Sequence, residues 1–206
     1  MRIKICGITN LDDALAAIDY GADALGFVFY PKSPRYVTPE KTREITAQLP
    51  PFITTVGVFV NESLTMIKHI MASARLQVLQ LHGDEPPEAC STWSQVVKAF
   101  RVKDFVDLKP LERYKGVSAY LLDTYAPASY GGTGQIFNWD IALEARKFGR
   151  IILSGGLTQE NVENAVRWVR PYAVDVSSGV ESEKGKKDLK KVKEFIERAK
   201  AASRQP

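Results

Sequence analysis

Short apolar runs recur along the chain at intervals of roughly 20 to 30 residues, and amphipathic helical patterns fall between most of them. The runs occupy positions 3–6, 25–29, 55–60, 78–81, 96–100, 119–122, 151–153 and 173–176, eight in all. Several of the helical stretches carry start signals. Thr9-Asn10-Leu11-Asp12 resembles a capping box, with Asp in place of Glu, ahead of Ala14, Leu15 and Ile18. Thr158 is placed to cap a helix whose Val162, Ala165, Val166 and Val169 share one stripe. The segment 102–114 is the weakest of the helix patterns. Strand and helix in alternation predict a parallel sheet. Eight such units without a separating linker predict a closed (β/α)8 barrel, one domain over residues 1–206. The chain is shorter than the ~250 residues usual for this architecture, so trimmed helices and loops are expected.

Alternation along each strand then says which side chains look into the barrel. If Ile3 and Ile5 face the helices, Lys4 and Cys6 face the interior. The same parity pairs Gln80 with His82 on the fourth strand. Lys98, alone among apolar neighbours on the fifth, is expected to point inward as well. Asp123 and Asp175 close the sixth and eighth strands. Buried charges need partners, so Lys4 and Lys98 are expected to meet interior acceptors. A barrel with so many polar inward positions reads as more than a scaffold.

Composition and charge exclude several classes. Hydrophobic residues make up 45% and charged residues 25% of the chain, and no apolar run reaches the ~18 residues of a membrane span. The start runs directly into a strand pattern without the apolar segment of a signal peptide, so a cytoplasmic protein is expected. The net charge is +4. Residues 184–206 alone hold nine Lys or Arg against three acids, which leaves the rest slightly negative. This excess is assigned to one terminal amphipathic helix with Leu189, Val192, Phe195, Ile196 and Ala199 on its other side. It reads as a solvated helix face, and no basic groove with interleaved aromatics points to nucleic acid. Cys6 and Cys90 form no CxxC pair, so neither a zinc site nor a disulfide framework is indicated.

In a barrel of this kind the active site lies in the loops after the strands. Cys6, Arg35, His82, Asp123, Gly155, Gly156, Asp175, Ser177, Ser178 and Gly179 all fall there. Position alone allows Cys6 to be a small buried hydrophobe or a thiolate base. Asp123 reads as a turn-former or as a catalyst. A thiol and a carboxyl across one barrel mouth can divide proton removal and proton donation. Ser154-Gly155-Gly156-Leu157 and Ser177-Ser178-Gly179-Val180 follow the seventh and eighth strands, where barrels often bind phosphate through backbone N–H groups. Arg35 sits in a loop stiffened by Pro31 and Pro34, either as a solvated cation or as a bidentate carboxylate clamp. His82 is either a hydrogen-bonded interior histidine or part of the site. Tyr130-Gly131-Gly132-Thr133-Gly134 has the glycine hinges of a lid.

Taken together, these motifs resemble the phosphoribosylanthranilate isomerase family of tryptophan biosynthesis over essentially the whole chain. The carriers are Lys4-Ile5-Cys6-Gly7-Ile8-Thr9, Gly26-Phe27-Val28-Phe29 with Ser33 to Tyr36, Gln80-Leu81-His82-Gly83, Leu121-Leu122-Asp123-Thr124, Leu153-Ser154-Gly155-Gly156-Leu157 and Val174-Asp175-Val176-Ser177-Ser178-Gly179-Val180-Glu181. The match is loosest over 124–136. The resemblance implies an Amadori rearrangement of the small molecule N-(5-phosphoribosyl)anthranilate to 1-(2-carboxyphenylamino)-1-deoxyribulose 5-phosphate. It makes Asp123 the general acid and Cys6 the general base. Arg35 would hold the anthranilate carboxylate, His82 and Asp175 would line the sugar site, and Gly155, Gly156, Ser178 and Gly179 would bind phosphate. This chemistry consists of proton transfers, so no cofactor or metal is expected, and the sequence carries no motif for either. Monomer and homodimer are both compatible with the sequence.

Two other enzymes of phosphosugar chemistry compete with this reading. A histidine-pathway aminoaldose isomerase would be expected to carry a carboxylate where Cys6 stands. A ribulose-phosphate epimerase would need metal ligands that His69 and His82 hardly supply. A catalytically silent phosphate-binding barrel is the alternative of a different class.

Overall fold

The apolar runs close into a parallel barrel. The computed structural model describes residues 1–124 and 137–204. In it β1 (Arg2–Cys6), β2 (Ala24–Val28), β3 (Thr54–Phe59), β4 (Val78–Leu81), β5 (Val96–Val102), β6 (Ala119–Thr124), β7 (Ile151–Leu153) and β8 (Ala173–Val176) pair in sequential order. The ring is closed by β8 against β1, with Lys4 opposite Asp175. Helices α1 (Leu11–Asp19), α2 (Pro39–Thr46), α3 (Leu64–Ser73), α4 (Pro87–Cys90), α5 (Trp139–Ala145), α6 (Val162–Val169) and α7 (Leu189–Arg204) lie between and after the strands. The expected (β/α)8 architecture is the one that forms. The glycine-rich stretch 130–134, read from sequence as a lid, lies outside the described residues.

Apolar packing divides into two layers because strand side chains alternate. Ile3, Ile5, Leu25, Phe27, Leu79, Leu122, Leu153 and Val174 pack against the helices in the larger cluster. A smaller cluster of Val97, Ala99, Ala119, Leu121, Ile152 and Ala173 plugs the barrel interior. This leaves the C-terminal mouth for polar residues. Among the described residues, no helix is long and apolar enough to cross a membrane.

Several local expectations are corrected. The cap of α1 is Asn10, whose side chain accepts from the Asp13 backbone N–H at 2.8 Å. Thr9 instead donates to the Gly185 carbonyl at 2.6 Å, tying the first loop to the last. Thr158 does not cap α6 through its hydroxyl, because its Oγ accepts from Glu160 N–H in the turn before the helix and Asn161 takes the cap position. After β5 the chain forms a 3₁₀ segment, Phe105–Arg113, with Pro110 inside it, which has no N–H to give to an α-helical ladder.

Lys98 also departs from expectation. Val97 and Ala99 belong to the interior plug, so Lys98 points outward, toward the helix layer. The basic C-terminal segment differs too. Lys186 and Lys187 lie not on α7 but on a short antiparallel ribbon formed by β9 (Glu181–Glu183) and β10 (Lys186–Lys187), and Lys187 is buried there.

Candidate active site

A cavity of about 500 Å³ opens at the C-terminal ends of the strands. Cys6, Arg35 and His82 line it, as do Asp123, Asp175, Gly155, Gly156, Ser178 and Gly179. All the residues singled out as candidates from sequence therefore border one space.

Cys6 ends β1 and is almost fully buried. Inward parity puts it above Lys4 and beside Gly26 of β2. A Cβ at Gly26 would stand 2.7 Å from the Cys6 Sγ and 2.9 Å from Lys4 Cε. Glycine therefore creates the recess in which the thiol and the lysine stem are neighbours. Lys4 in turn is ion-paired with Asp175 of β8 at 2.8 Å, and Asp175 accepts a further bond from Ser154 at 3.3 Å. Burial favours the neutral thiol and pushes Cys6 above the ordinary thiol range. The Lys4 charge opposes that rise, Asp175 reinforces it, and the more distant Lys187 opposes it. Burial works against the Lys4 charge too, but Asp175 and Cys6 together outweigh it and Lys4 holds its proton more tightly than a free lysine.

Asp123 comes from β6, across the barrel. Its Oδ1 accepts from the Thr124 backbone N–H at 2.8 Å, and its Oδ2 lies 3.2 Å from His82 Nε2. The other ring nitrogen of His82 is 2.9 Å from Gln80 Nε2. Gly155, at φ +76°, passes close by, and a Cβ there would come within 2.5 Å of the Thr124 N and 3.0 Å of Asp123 Oδ1. Only glycine satisfies both the positive φ and that approach. The backbone N–H groups of Gly155, Gly156, Ser178 and Gly179 find no acceptor among the described residues, and they border the cavity from adjacent loops.

Arg35 already holds a carboxylate of the chain itself. Its Nε and Nη2 donate to the two oxygens of Glu181 at 2.7 and 2.8 Å. Glu181 also accepts from the buried Lys187 at 3.0 Å. Burial raises the Glu181 carboxyl, but the Arg35 hydrogen bonds and the Lys187 charge outweigh it, and the net displacement is downward. Lys187 is lowered by burial despite Glu181. This side-on pairing occupies one edge of the guanidinium and leaves the N–H bonds of its Nη1–Nη2 edge for a second planar anion. Arg35, Lys187 and Glu181 together carry one net positive charge.

Sequence reasoning did not assign roles to Glu181, Lys187, Ser154 or Arg101. Glu181 and Ser154 stand inside motifs that were recognised, whereas Lys187 was masked by the basic run around it. Arg101 shares the inward parity of Val97 and Ala99, borders the cavity and bonds Asp84 at 2.8 Å. That parity was readable once Phe100 and Val102 were assigned to the helix side. Among the described residues no cluster of three or more His, Cys, Asp or Glu is arranged to hold a metal.

Comparison with known proteins agrees along the length of the chain. Residues 3–198 match the family model described as N-(5'phosphoribosyl)anthranilate (PRA) isomerase. An N-(5'-phosphoribosyl)anthranilate isomerase of Geobacter metallireducens is 57% identical over 202 residues, covering 98% of this chain and 100% of its own. The crystal structure of phosphoribosyl anthranilate isomerase from Thermotoga maritima superposes with a TM-score of 0.92 at 47% identity, over 98% of this chain and 99% of that one. A phosphoribosyl anthranilate isomerase in complex with reduced 1-(o-carboxyphenylamino)-1-deoxyribulose 5-phosphate gives a TM-score of 0.89 at 46% identity, over the same shares of the two chains. With the family model spanning nearly every residue and a relative at this identity, the chain belongs to the N-(5'-phosphoribosyl)anthranilate isomerase family.

Proposed function

We propose that the cavity isomerises N-(5'-phosphoribosyl)anthranilate, the family's step in tryptophan biosynthesis, with Asp123 as general acid and Cys6 as general base. The observation that carries this division is the convergence of the Cys6 thiol, from β1, and the Asp123 carboxyl, from β6, on a single cavity bordered by residues whose backbone N–H groups find no acceptor among the described residues. Asp123 gives its proton to the furanose oxygen. The C1–O bond breaks as the anthranilate nitrogen lone pair forms a C=N bond. Cys6, as the thiolate that the adjacent Lys4 ammonium favours against burial, then removes the C2 proton, and the electron pair left behind makes an enolamine while neutralising the iminium. Tautomerisation, with proton delivery to C1, yields the ketone at C2.

Binding follows the charges. The N–H groups of Gly155, Gly156, Ser178 and Gly179 suit a phosphate. The Nη1–Nη2 edge of Arg35, which Glu181 does not hold, suits the anthranilate carboxylate, with Glu181 fixing the guanidinium plane. Asp175 borders the same cavity, where it suits the sugar, and its pairing with Lys4 holds its carboxylate in place.

Fluorescence loss from freshly formed phosphoribosylanthranilate measures turnover. Cys6→Ala should lower kcat by about 10² or more, the usual scale for losing a general base, and Cys90→Ala should leave it nearly unchanged. Asp123→Asn should lower kcat by about 10² or more while a product analogue binds within a few-fold of wild type. Wild-type turnover in Cys6→Ala overturns the base. Equal losses of affinity and rate in Asp123→Asn make Asp123 a binding residue.

A further inference from the structure

Gln80 is almost completely buried, faces the cavity from β4 two residues before His82, and has no part in the steps above. Its Nε2 lies 2.9 Å from His82 Nδ1, and His82 Nε2 lies 3.2 Å from Asp123 Oδ2. The polarity of this chain follows from its two ends. Beside an ionised Asp123, whose oxygens only accept, the proton sits on His82 Nε2; the near end selects the same tautomer in either state of Asp123, because the Gln80 amide nitrogen at Nδ1 only donates. In the neutral ring Nδ1 is then an acceptor, and its partner must donate. The Gln80 amide NH₂ is that donor.

We infer that Gln80 is a positioning residue for Asp123, acting through His82: by donating to Nδ1 it fixes the ring tautomer that donates to Asp123 Oδ2. In the opposite tautomer Nε2 would present a lone pair to Asp123. The carboxylic acid would then hold its proton against the imidazole instead of releasing it to the substrate. With Nε2–H donating, and the Thr124 N–H on Oδ1, both carboxyl oxygens are oriented. Each keeps a further lone pair for the proton that is transferred. Arg101, opposite Asp123 in the β5–β6 register, is already engaged by Asp84.

This inference rests on the reading of Asp123 as the acid, and the test separates the two. The chain has two histidines, and His69 is exposed on α3, so a protein labelled with ¹⁵N in its histidine rings gives one reporter and one internal reference. Long-range ¹H–¹⁵N spectra of wild type should show His82 protonated at Nε2 and bare at Nδ1. Gln80→Glu replaces the donor by an acceptor and should protonate Nδ1. Gln80→Met keeps the length, offers neither, and should populate both tautomers. Both variants should lose kcat, by about tenfold in Gln80→Met and by more in Gln80→Glu, with KM little changed; a catalytic imidazole locked in the wrong tautomer costs up to about 10⁴-fold. An unprotonated Nδ1 in Gln80→Glu, or a wild-type kcat in Gln80→Met, overturns the inference. A wild-type kcat in Asp123→Asn, with the tautomer switch still visible in Gln80→Glu, overturns the acid instead.

Discussion

Two of the buried lysines, Lys4 and Lys98, lie on opposite faces of the barrel sheet, and they do different things. Lys98, 2% exposed, points from β5 toward the helix layer. Its ammonium meets Glu85 at 3.1 Å and the carbonyls of Gly83 and Ala99 at 2.8 and 3.0 Å, and it stands 5.4 Å from the Phe100 ring centroid. Every direction is filled. Lys4, 6% exposed, points from β1 into the interior. It has one strong partner, Asp175, and lies beside the Cys6 thiol in the recess that Gly26 makes. A buried charge surrounded by protein acceptors fixes a loop. A buried charge with one partner and a reactive neighbour sets a local field.

The Lys98 pair holds the loop that follows β4. Glu85 accepts from the Gly83 N–H with both oxygens and from the Asn61 N–H, so His82 is anchored immediately before a tightly bonded turn. Lys98→Met should therefore give the largest effect of this comparison. It leaves a buried carboxylate and several carbonyls without their cation, away from the cavity where water could replace it. A loss of about 3–5 kcal/mol is expected, measured by urea unfolding. A loss under about 1 kcal/mol would mean that the two backbone donors, Gly83 and Asn61, alone satisfy Glu85, and the contrast between the two lysines would collapse.

Lys4→Met should cost less, about 1–3 kcal/mol, the range for a lost hydrogen bond to a charged group. Asp175 borders the open cavity, keeps Ser154 as a partner and can be reached by water. If Lys4→Met proved the more destabilising of the two, the interior pair would be the structural one.

The same contrast shows what the sequence made legible. Eight short apolar runs were enough for the barrel, because strands buried on both sides need continuous hydrophobicity and the helices between them need only a stripe. Parity placed Lys4, Cys6, Gln80 and His82 correctly, since Ile3, Ile5, Leu79 and Leu81 leave no doubt about which face packs on helices. Parity failed at Lys98, where small Ala99 and Val97 face the interior and large Phe100 faces out. A lone charge in an apolar run gives no sign of its direction; the sizes of its neighbours do. The pairing of Arg35 with Glu181 joins residues 146 positions apart, and Lys187 reached them through a two-stranded ribbon too short to show a pattern. Caps misplaced by one to three residues reflect competition among adjacent Thr and Asn side chains, each able to close the same turn.

The smallest effect is the most specific, and it concerns the field at Cys6. Burial raises the thiol, Lys4 lowers it and Asp175 raises it, so removing either member of the pair should move the thiol in opposite directions. Lys4→Met takes away a stabilising cation and leaves Asp175 uncompensated; both changes favour the neutral thiol, and its titration should shift to higher pH. Asp175→Asn removes the anion and leaves Lys4 charged, so the titration should shift to lower pH. Alkylation by iodoacetamide in a Cys90→Ala background, followed as a function of pH, reads the thiolate directly without passing through turnover. The same displacement has a thermodynamic counterpart. A thiol raised in the folded state binds its proton more tightly there than in the unfolded chain, so its contribution to stability is lost as pH rises above the unfolded thiol value. Stability of the Cys90→Ala protein should thus decline across that alkaline range, and adding Cys6→Ala should lessen the decline by the thiol's share, burial raising Tyr114 and Tyr120 as well. Shifts of the same sign in Lys4→Met and Asp175→Asn would mean that the pair acts on Cys6 through packing, not charge, and Lys4 would then be no different in kind from Lys98.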